Sequence, residues 1–331
     1  MEDEDRVYSY TTVLMGSPIL LKLFVHDESV AQEVFNLIKH FEDIFTVNRD
    51  KSEVMDINHA AGMYPVSVSQ PVYELIKCAK AYSMIPGSAL NLTIGPLVKL
   101  WKIGFNGKSV PPPNEIRDLL PLTRPDQVVL NDSSRSVFLS NFGMEIDLGG
   151  IAKGYIADCV RDFLKKKKSI HSGLINLGGN VYAMSSPLGD WGIGLKKPFA
   201  KTADEVVGVI QVSNKSVVTS GVYERYFEQD GKMYHHILNP ATGYPLDNEL
   251  LSVTIISNDS LDGDIWTTII YGMGVKKGVK ELSKRNDIEA IFITRNNEII
   301  YCSSNMFRFS LKDESYKVIN ENVEQYVNEK Y

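Results

Sequence analysis

The sequence predicts an α+β fold in which mixed and antiparallel sheets are flanked by helices, built as a single large domain. Three observations carry this. β-Rich segments come in adjacent pairs joined by short polar turns, the mark of hairpins rather than parallel crossovers. Between them lie long segments with apolar residues at steps of three and four, as in amphipathic helices. The two kinds of segment alternate irregularly and no repeat of roughly 20–50 residues runs through the 331 residues, so neither a doubly wound sheet nor a solenoid fits.

Residues 7–25 are rich in β-formers and broken at Gly16-Ser17-Pro18, which predicts two strands around a turn. Asp27 then caps a long helix whose Val30, Val34, Leu37, Phe41 and Ile44 share one face. A second helix opens near Ser69, with Pro71 in its first turn and Val72, Leu75, Ile76 and Ala79 inward. Pro111-Pro112-Pro113 reads as a stiff, extended surface loop. Residues 128–130 and 137–139 read as a hairpin around Asn131-Asp132-Ser133-Ser134. From Met144 the pattern changes to short strands ending in glycine-rich turns. One such strand is expected to deliver Asp147 to Gly149-Gly150, with a helix following over about 151–167. Further strands are expected near 174–184, 206–212, 217–219 and 252–257, and a helix over about 261–285. Residues 290–294 and 298–302 flank Arg295-Asn296-Asn297, again a hairpin. The domain is placed at 1–305. The charged, weakly patterned residues 306–331 are read as a peripheral C-terminal extension.

Composition excludes several functions. With 35 Lys and Arg against 41 Asp and Glu, the net charge is −6, which gives no electrostatic basis for nucleic-acid binding. Cys78, Cys159 and Cys302 are too few and too scattered for a disulfide framework or a zinc site. No window approaches the roughly 18 uninterrupted apolar residues of a membrane helix, so no transmembrane segment is expected. Met1-Glu2-Asp3-Glu4-Asp5 is acidic where a secretory leader is basic and then apolar, and no lipobox cysteine lies near it. The chain as written is therefore expected in the cytoplasm, a trimmed exported lipoprotein being the alternative.

Four constellations concentrate chemistry. The densest is Glu145-Ile-Asp147-Leu-Gly149-Gly150-Ile-Ala-Lys153-Gly154-Tyr155. Backbone N–H groups at a helix start favour anions, glycines permit close approach, and Lys153 adds a cation. A second polar-Leu-Gly-Gly turn, Asn176-Leu-Gly178-Gly179-Asn180, follows about thirty residues on. Two such turns would line one ligand from two sides, although tight packing alone also explains a Gly-Gly pair. Neither is a Walker A loop or a G-x-G-x-x-G fingerprint. Next come Thr219-Ser220-Gly221 and Tyr234-His235-His236-Ile-Leu-Asn239-Pro240-Ala-Thr242-Gly243, in which an imidazole is held ahead of a turn as a base or as a structural residue. No G-x-S-x-G elbow accompanies it. In Asp262-Gly-Asp264-Ile-Trp-Thr-Thr268, Asp264 and Thr268 are four apart and share a helix face, an oxygen set suited to Mg²⁺. A capping role is the other reading, and Asp262 fits it better. Last, Ala89-Leu90-Asn91-Leu-Thr93-Ile-Gly95-Pro96 leads to Trp101, either the edge of a planar ring or a helix start with a buried Trp.

Taken together these segments resemble the FAD:protein FMN transferase family (ApbE-type flavin transferases). Its ordered motifs look like D-[LI]-G-[GA]-[IV]-A-K-G, N-[LI]-G-G-[DN], T-S-G, H-I-[IL]-[DN]-P-x-T-G and A-D-A-x-x-T. All but the last stand here nearly intact and in order, over roughly residues 15–302. The resemblance implies that Met15, Ala89, Leu90, Asn91, Asp147 and Lys153 contact FAD. Gly178 and Gly179 of the second glycine turn join this cofactor-binding set. Asp264, Thr268 and the Gly150 carbonyl would hold Mg²⁺, and His236 would be the base. Asn91 and Asn239 stand where many relatives carry Asp, and Gly263 and Trp266 replace small or aliphatic residues. The implied function is Mg²⁺-dependent transfer of the FMN moiety of FAD to a Thr or Ser hydroxyl of an acceptor protein, with release of AMP. The acceptor would carry a D-x-x-[ST]-G-A-[ST]-like motif. This chain has no Gly-Ala dipeptide and so is not its own acceptor by that motif. The alternatives are a Mg²⁺-dependent FAD pyrophosphatase giving FMN and AMP, and a non-catalytic FAD-binding protein.

Overall fold

The computed structural model describes residues 6–202, 204–302 and 305–331. In its first third run β1 (Tyr8–Leu14), β2 (Ser17–Leu23), α1 (Glu28–Phe45), α2 (Glu53–His59), β3 (Val66–Ser67), α3 (Gln70–Ser83) and α4 (Gly95–Trp101). There follow α5 (Pro113–Leu119), β4 (Val128–Asn131), β5 (Ser136–Leu139), α6 (Ala152–Lys167), β6 (Gly173–Asn176), β7 (Asn180–Ala183) and β8 (Trp191–Lys196). Next are β9 (Val206–Val212), β10 (Lys215–Gly221), β11 (Tyr226–Gln229), β12 (Lys232–His235), β13 (Leu250–Ser257) and α7 (Ser260–Leu282). The chain closes with β14 (Ile288–Thr294), β15 (Glu298–Ile300), β16 (Arg308–Leu311), β17 (Lys317–Ile319) and α8 (Val323–Lys330). This is the expected α+β mixture. It divides into two compact units, one made of Met1–Glu42, Lys153–Gly221 and Glu249–Tyr331, the other of Asp43–Ala152 and Val222–Asn248.

The first unit is organised by a nine-stranded sheet in the order β1-β2-β6-β7-β10-β13-β14-β15-β17, antiparallel except for the parallel pair β15–β17. β13 is buried at all eight positions, which explains why its sequence is a continuous apolar and β-branched run rather than an alternation. α7 packs against β10 and β13. Gly274 (φ 72°) breaks this helix into two segments, and the Glu249 carboxylate accepts from the Val275 N–H at the start of the second (2.5 Å). A smaller sheet, β16-β9-β8, completes the unit.

The second unit holds α2 to α5, the sheet β3-β5-β4 and the ribbon β11–β12. Leu97, Trp101, Ile103, Ile116, Phe227 and Leu238 form one apolar cluster. The Trp101 indole N–H donates to the Gly243 carbonyl (2.8 Å), and its ring stacks on Tyr234 at 5.8 Å. Trp101 is therefore a core residue and not the edge of a ligand ring.

Several expectations need correction. The β1–β2 turn is Met15-Gly16 alone, since Ser17 and Pro18 already pair with Leu14 and Val13. Asp27 does cap α1, accepting from the Val30 N–H (3.0 Å). The buried face, however, runs through Val30, Ala31, Val34, Ile38, Phe41 and Phe45, so Leu37 and Ile44 lie at its margin. Ser52 caps the short α2, too brief to show a period in sequence. Pro113 opens α5, as proline at a first helical position can. Residues 144–148 form no strand among the described residues. Asn58 clamps Ile146 through two hydrogen bonds (3.0 and 2.7 Å) and the Leu92 carbonyl accepts from the Asp147 N–H (2.9 Å). The tail is not peripheral: β16 pairs with β9, β17 joins the large sheet, and the buried Glu298 carboxylate accepts from Tyr326, Lys330 and Tyr331, tying α8 down. Its alternating half-exposed pattern is that of edge elements, which carry a weak apolar signal. No helix among the described residues is long and apolar enough to cross a membrane.

Candidate active site

Most candidate residues of the first unit converge on the start of α6 and of α7. Asp264 lies in the second turn of α7 and is buried. Its Oδ2 accepts from the Gly154 N–H of α6 (2.5 Å) and its Oδ1 from the Asn180 side-chain Nδ2 (3.0 Å). Burial lifts its pKa to about 7 against the opposing pull of those two hydrogen bonds and of the Lys153 charge. Thr268, four residues on, is half-buried. Asp264 is nine-tenths covered. The two helices can approach this closely because residue 154 is glycine. A Cβ there would lie 2.3 Å from the Ser260 carbonyl oxygen. Asp158, one turn further along α6, accepts from the Ser260 and Leu261 N–H groups (2.8 and 2.9 Å) and so caps α7. Asp262 sits in that first turn but Asp158 does the capping. Arg161 then joins Asp158 to Asp259 (3.0 and 2.6 Å). Gly154 and Asn180 stood in the sequence motifs without a role of their own and Asp158 in none, since their roles depend on where α6 and β7 meet α7.

Beside them, the Lys153 ammonium donates to the Ser17 hydroxyl (3.0 Å), next to the β1–β2 turn where Met15 adopts a left-handed conformation (φ 52°). A non-glycine residue held there is strained, and such strain collects at functional turns. Gly178 (φ 73°) presses against Ser17, where a Cβ would come within 2.5 Å of its Cβ and 3.3 Å of the Lys153 nitrogen. Gly179 faces open space. The structure thus gathers the Met15 turn, Lys153 and the Gly178-Gly179 turn. The turn's amides are not free for an anion, because both N–H groups donate to the Asn176 side chain (3.0 Å each).

In the second unit, the Asp147 carboxylate accepts from the Gly149 N–H (2.7 Å), so that glycine pair also spends an amide internally. Burial raises the Asp147 pKa, while the Gly149 bond and then the charge of Arg225 oppose it. Leu90 lies 3.7 Å from the Cβ position of Gly150. Ala89 and Leu90 are buried, and Asn91 is bound on three sides: its Nδ2 donates to the Thr123 carbonyl and its Oδ1 accepts from the Thr93 amide and hydroxyl (2.8 Å each). A cavity of about 290 Å³ opens beside it, lined by Ser83, Ser88, Asn91, Thr123 and Asn239 among others.

The two histidines separate cleanly. His235 is buried, with Nε2 2.7 Å from the Leu246 carbonyl and Nδ1 accepting from the Ile237 N–H (3.3 Å), so both ring nitrogens are used in holding the loop. His236 has Nδ1 3.2 Å from the Arg225 carbonyl oxygen. That oxygen only accepts, so Nδ1 carries the proton and Nε2 presents its lone pair. Burial, with the Arg225 charge and His235 adding to it, lowers the His236 pKa, so the ring is neutral in the physiological range. Sequence spacing could not tell these neighbours apart.

The oxygen donors of Asp264 and Thr268 on one helix face suit a hard cation. The buried Asn180 Oδ1 beside Asp264, which has no hydrogen-bond partner among the described residues, adds to that fit. Among the described residues no three His, Cys, Asp or Glu side chains cluster as a transition-metal cage would require.

The chain is similar to known proteins over most of its length. A model described as the ApbE family matches residues 15–292. An FAD:protein FMN transferase of Klebsiella pneumoniae (strain 342) is 61% identical over 317 residues, covering 96% of this chain and 98% of its own. One from Treponema pallidum (strain Nichols) is 35% identical over 312 residues, covering 87% and 84%. The crystal structure of the ApbE protein of Thermotoga maritima superposes with a TM-score of 0.79 at 28% identity, over 93% of this chain and 97% of that one.

Proposed function

This chain belongs to the ApbE family and is a flavin transferase acting on FAD and a protein; on that premise we propose that it moves the FMN moiety of FAD onto a Thr or Ser hydroxyl of the acceptor, releasing AMP, with Mg²⁺ bound. The acceptor oxygen attacks the FMN-side phosphorus of the pyrophosphate, a P–O bond forms, the bond from that phosphorus to the bridging oxygen breaks, and AMP leaves with the electron pair. His236 Nε2 takes the hydroxyl proton, a contribution of about 10²–10⁴ in rate. Lys153, held beside Ser17 and the Gly178-Gly179 turn, supplies positive charge to the phosphates. Asp264 and Thr268 would hold the cation, with the Gly150 carbonyl as the third ligand that the family pattern implies. Once bound, Mg²⁺ neutralises pyrophosphate charge.

The observation that carries this reading is the Asp264 carboxylate, buried with only neutral N–H groups as hydrogen-bond donors among the described residues, on the helix face it shares with Thr268. The test is to incubate the protein with FAD, Mg²⁺ and a carrier domain bearing D-x-x-T-G-A-T. Yellow fluorescence that stays on the carrier after denaturation is the expected result. Free FMN and AMP without labelled carrier would make it a pyrophosphatase, and intact FAD would make it a binding protein.

A further inference from the structure

We propose that Asn180 is a positioning residue of the cation site: its Nδ2 aims the Asp264 carboxylate, and its Oδ1 accepts from a water in the shell of the bound Mg²⁺. This rests on the magnesium reading above. Asn180 is 2% exposed, opens β7, and is fixed by pairing with Val218 and by the Leu177 N–H donating to its carbonyl (2.9 Å). Its side chain therefore has one place to go. Nδ2 lies 3.0 Å from Asp264 Oδ1, and an ionised carboxylate only accepts, which sets the orientation of the amide. Oδ1 is then buried with no donor among the described residues. Buried carbonyl oxygens are rarely left so, and those that are point to water or an ion. Magnesium binds few protein oxygens and keeps several waters, so such an acceptor beside its carboxylate has a defined use. Groups that orient a ligand in this way change metal affinity by about 10–100-fold.

The experiment counts free Mn²⁺, the probe ion, by electron paramagnetic resonance as it is titrated into the full chain with FAD present. The parent should bind Mn²⁺ and Asp264→Asn should not. The near-isosteric Asn180→Leu should bind it about 10–100-fold more weakly, with a metal-free melting temperature no lower than the parent's. Asn180→Asp, which keeps an acceptor oxygen but can no longer donate to Asp264, should lose affinity by less than Asn180→Leu does. Parent-like affinity in Asn180→Leu, or an Asn180→Asp variant as weak as Asn180→Leu, would overturn the role of Asn180 while leaving the metal reading in place. A parent that binds no Mn²⁺ would overturn both. Should Asn180→Leu fail to fold by circular dichroism, the Asn180→Asp arm decides alone, a loss at the top of the same range of about 10–100-fold overturning the role.

Discussion

Asp264 and Glu298 are two buried carboxylates of the same unit, treated in opposite ways. Burial raises the pKa of both. At Glu298 the hydrogen bonds from Lys330, Tyr326 and Tyr331 outweigh it and bring the value down to about 2. At Asp264 the donors are two neutral N–H groups and the value stays up at about 7. The chain completes Glu298 with its own cation and thereby docks α8, whereas no cation is among the donors to Asp264 in the described residues. A carboxylate so placed is expensive to ionise unless a cation arrives from outside. The contrast separates a structural ion pair from a buried carboxylate whose hydrogen-bond donors are neutral.

Substitutions should break the two apart. The largest effect is expected from Asp264→Asn, which should abolish AMP release from FAD while the fold persists, since Asn180 can turn its amide to accept from the new one. Turnover at the parent rate would remove the metal assignment. His236→Ala should lower acceptor labelling by about 10²–10⁴ with FAD affinity unchanged, measured by single-turnover kinetics. Equal loss in His235→Ala without a fall in Tm would contradict the division between the two rings. Lys153→Ala should weaken FAD binding about tenfold or more, as loss of a charged hydrogen bond does, and an unchanged Kd would take it out of the site. Smallest in catalytic terms is Glu298→Gln, predicted to keep activity near the parent's while costing about 2 kcal/mol of stability and exposing α8 to proteolysis.

The pH dependence sharpens the same contrast. Asp264 has a folded pKa above its ordinary value, so its share of metal-free stability is present below about pH 4 and is lost as pH rises through about 7. Glu298 has a depressed pKa, so its share is present above the ordinary carboxylate range and is lost as pH falls toward about 2. Thermal melts in EDTA should show the first slope vanish in Asp264→Asn and the second in Glu298→Gln.

Much of this molecule was legible from local pattern. α3 carries its Pro71 start and its four inward positions in plain sequence, and the β14–β15 hairpin follows from Arg295-Asn296-Asn297. Motif order brought out Asp147, Lys153, Asp264 and His236. What escaped depends on long-range geometry. The buried face of α1 is offset by one residue at Ile38 and Phe45 because packing partners, not periodicity alone, choose the face. Residues 144–148 look like a strand but are held by the Asn58 side chain. The caps of α7 come from Asp158, about a hundred residues away in the chain. The fates of His235 and His236 are decided by which carbonyl each ring meets.

Gly154 shows how narrow the tolerances around the carboxylate are. The same residue whose missing side chain lets α6 cross α7 also gives its amide to Asp264, so spacing and ligand orientation are set by one backbone position. A single methyl group there would act as a wedge, lifting the first turn of α7 and drawing the carboxylate off its donor together. Drift at this crossing is therefore closed to every side chain larger than hydrogen, however well the rest of the helix pair is repacked.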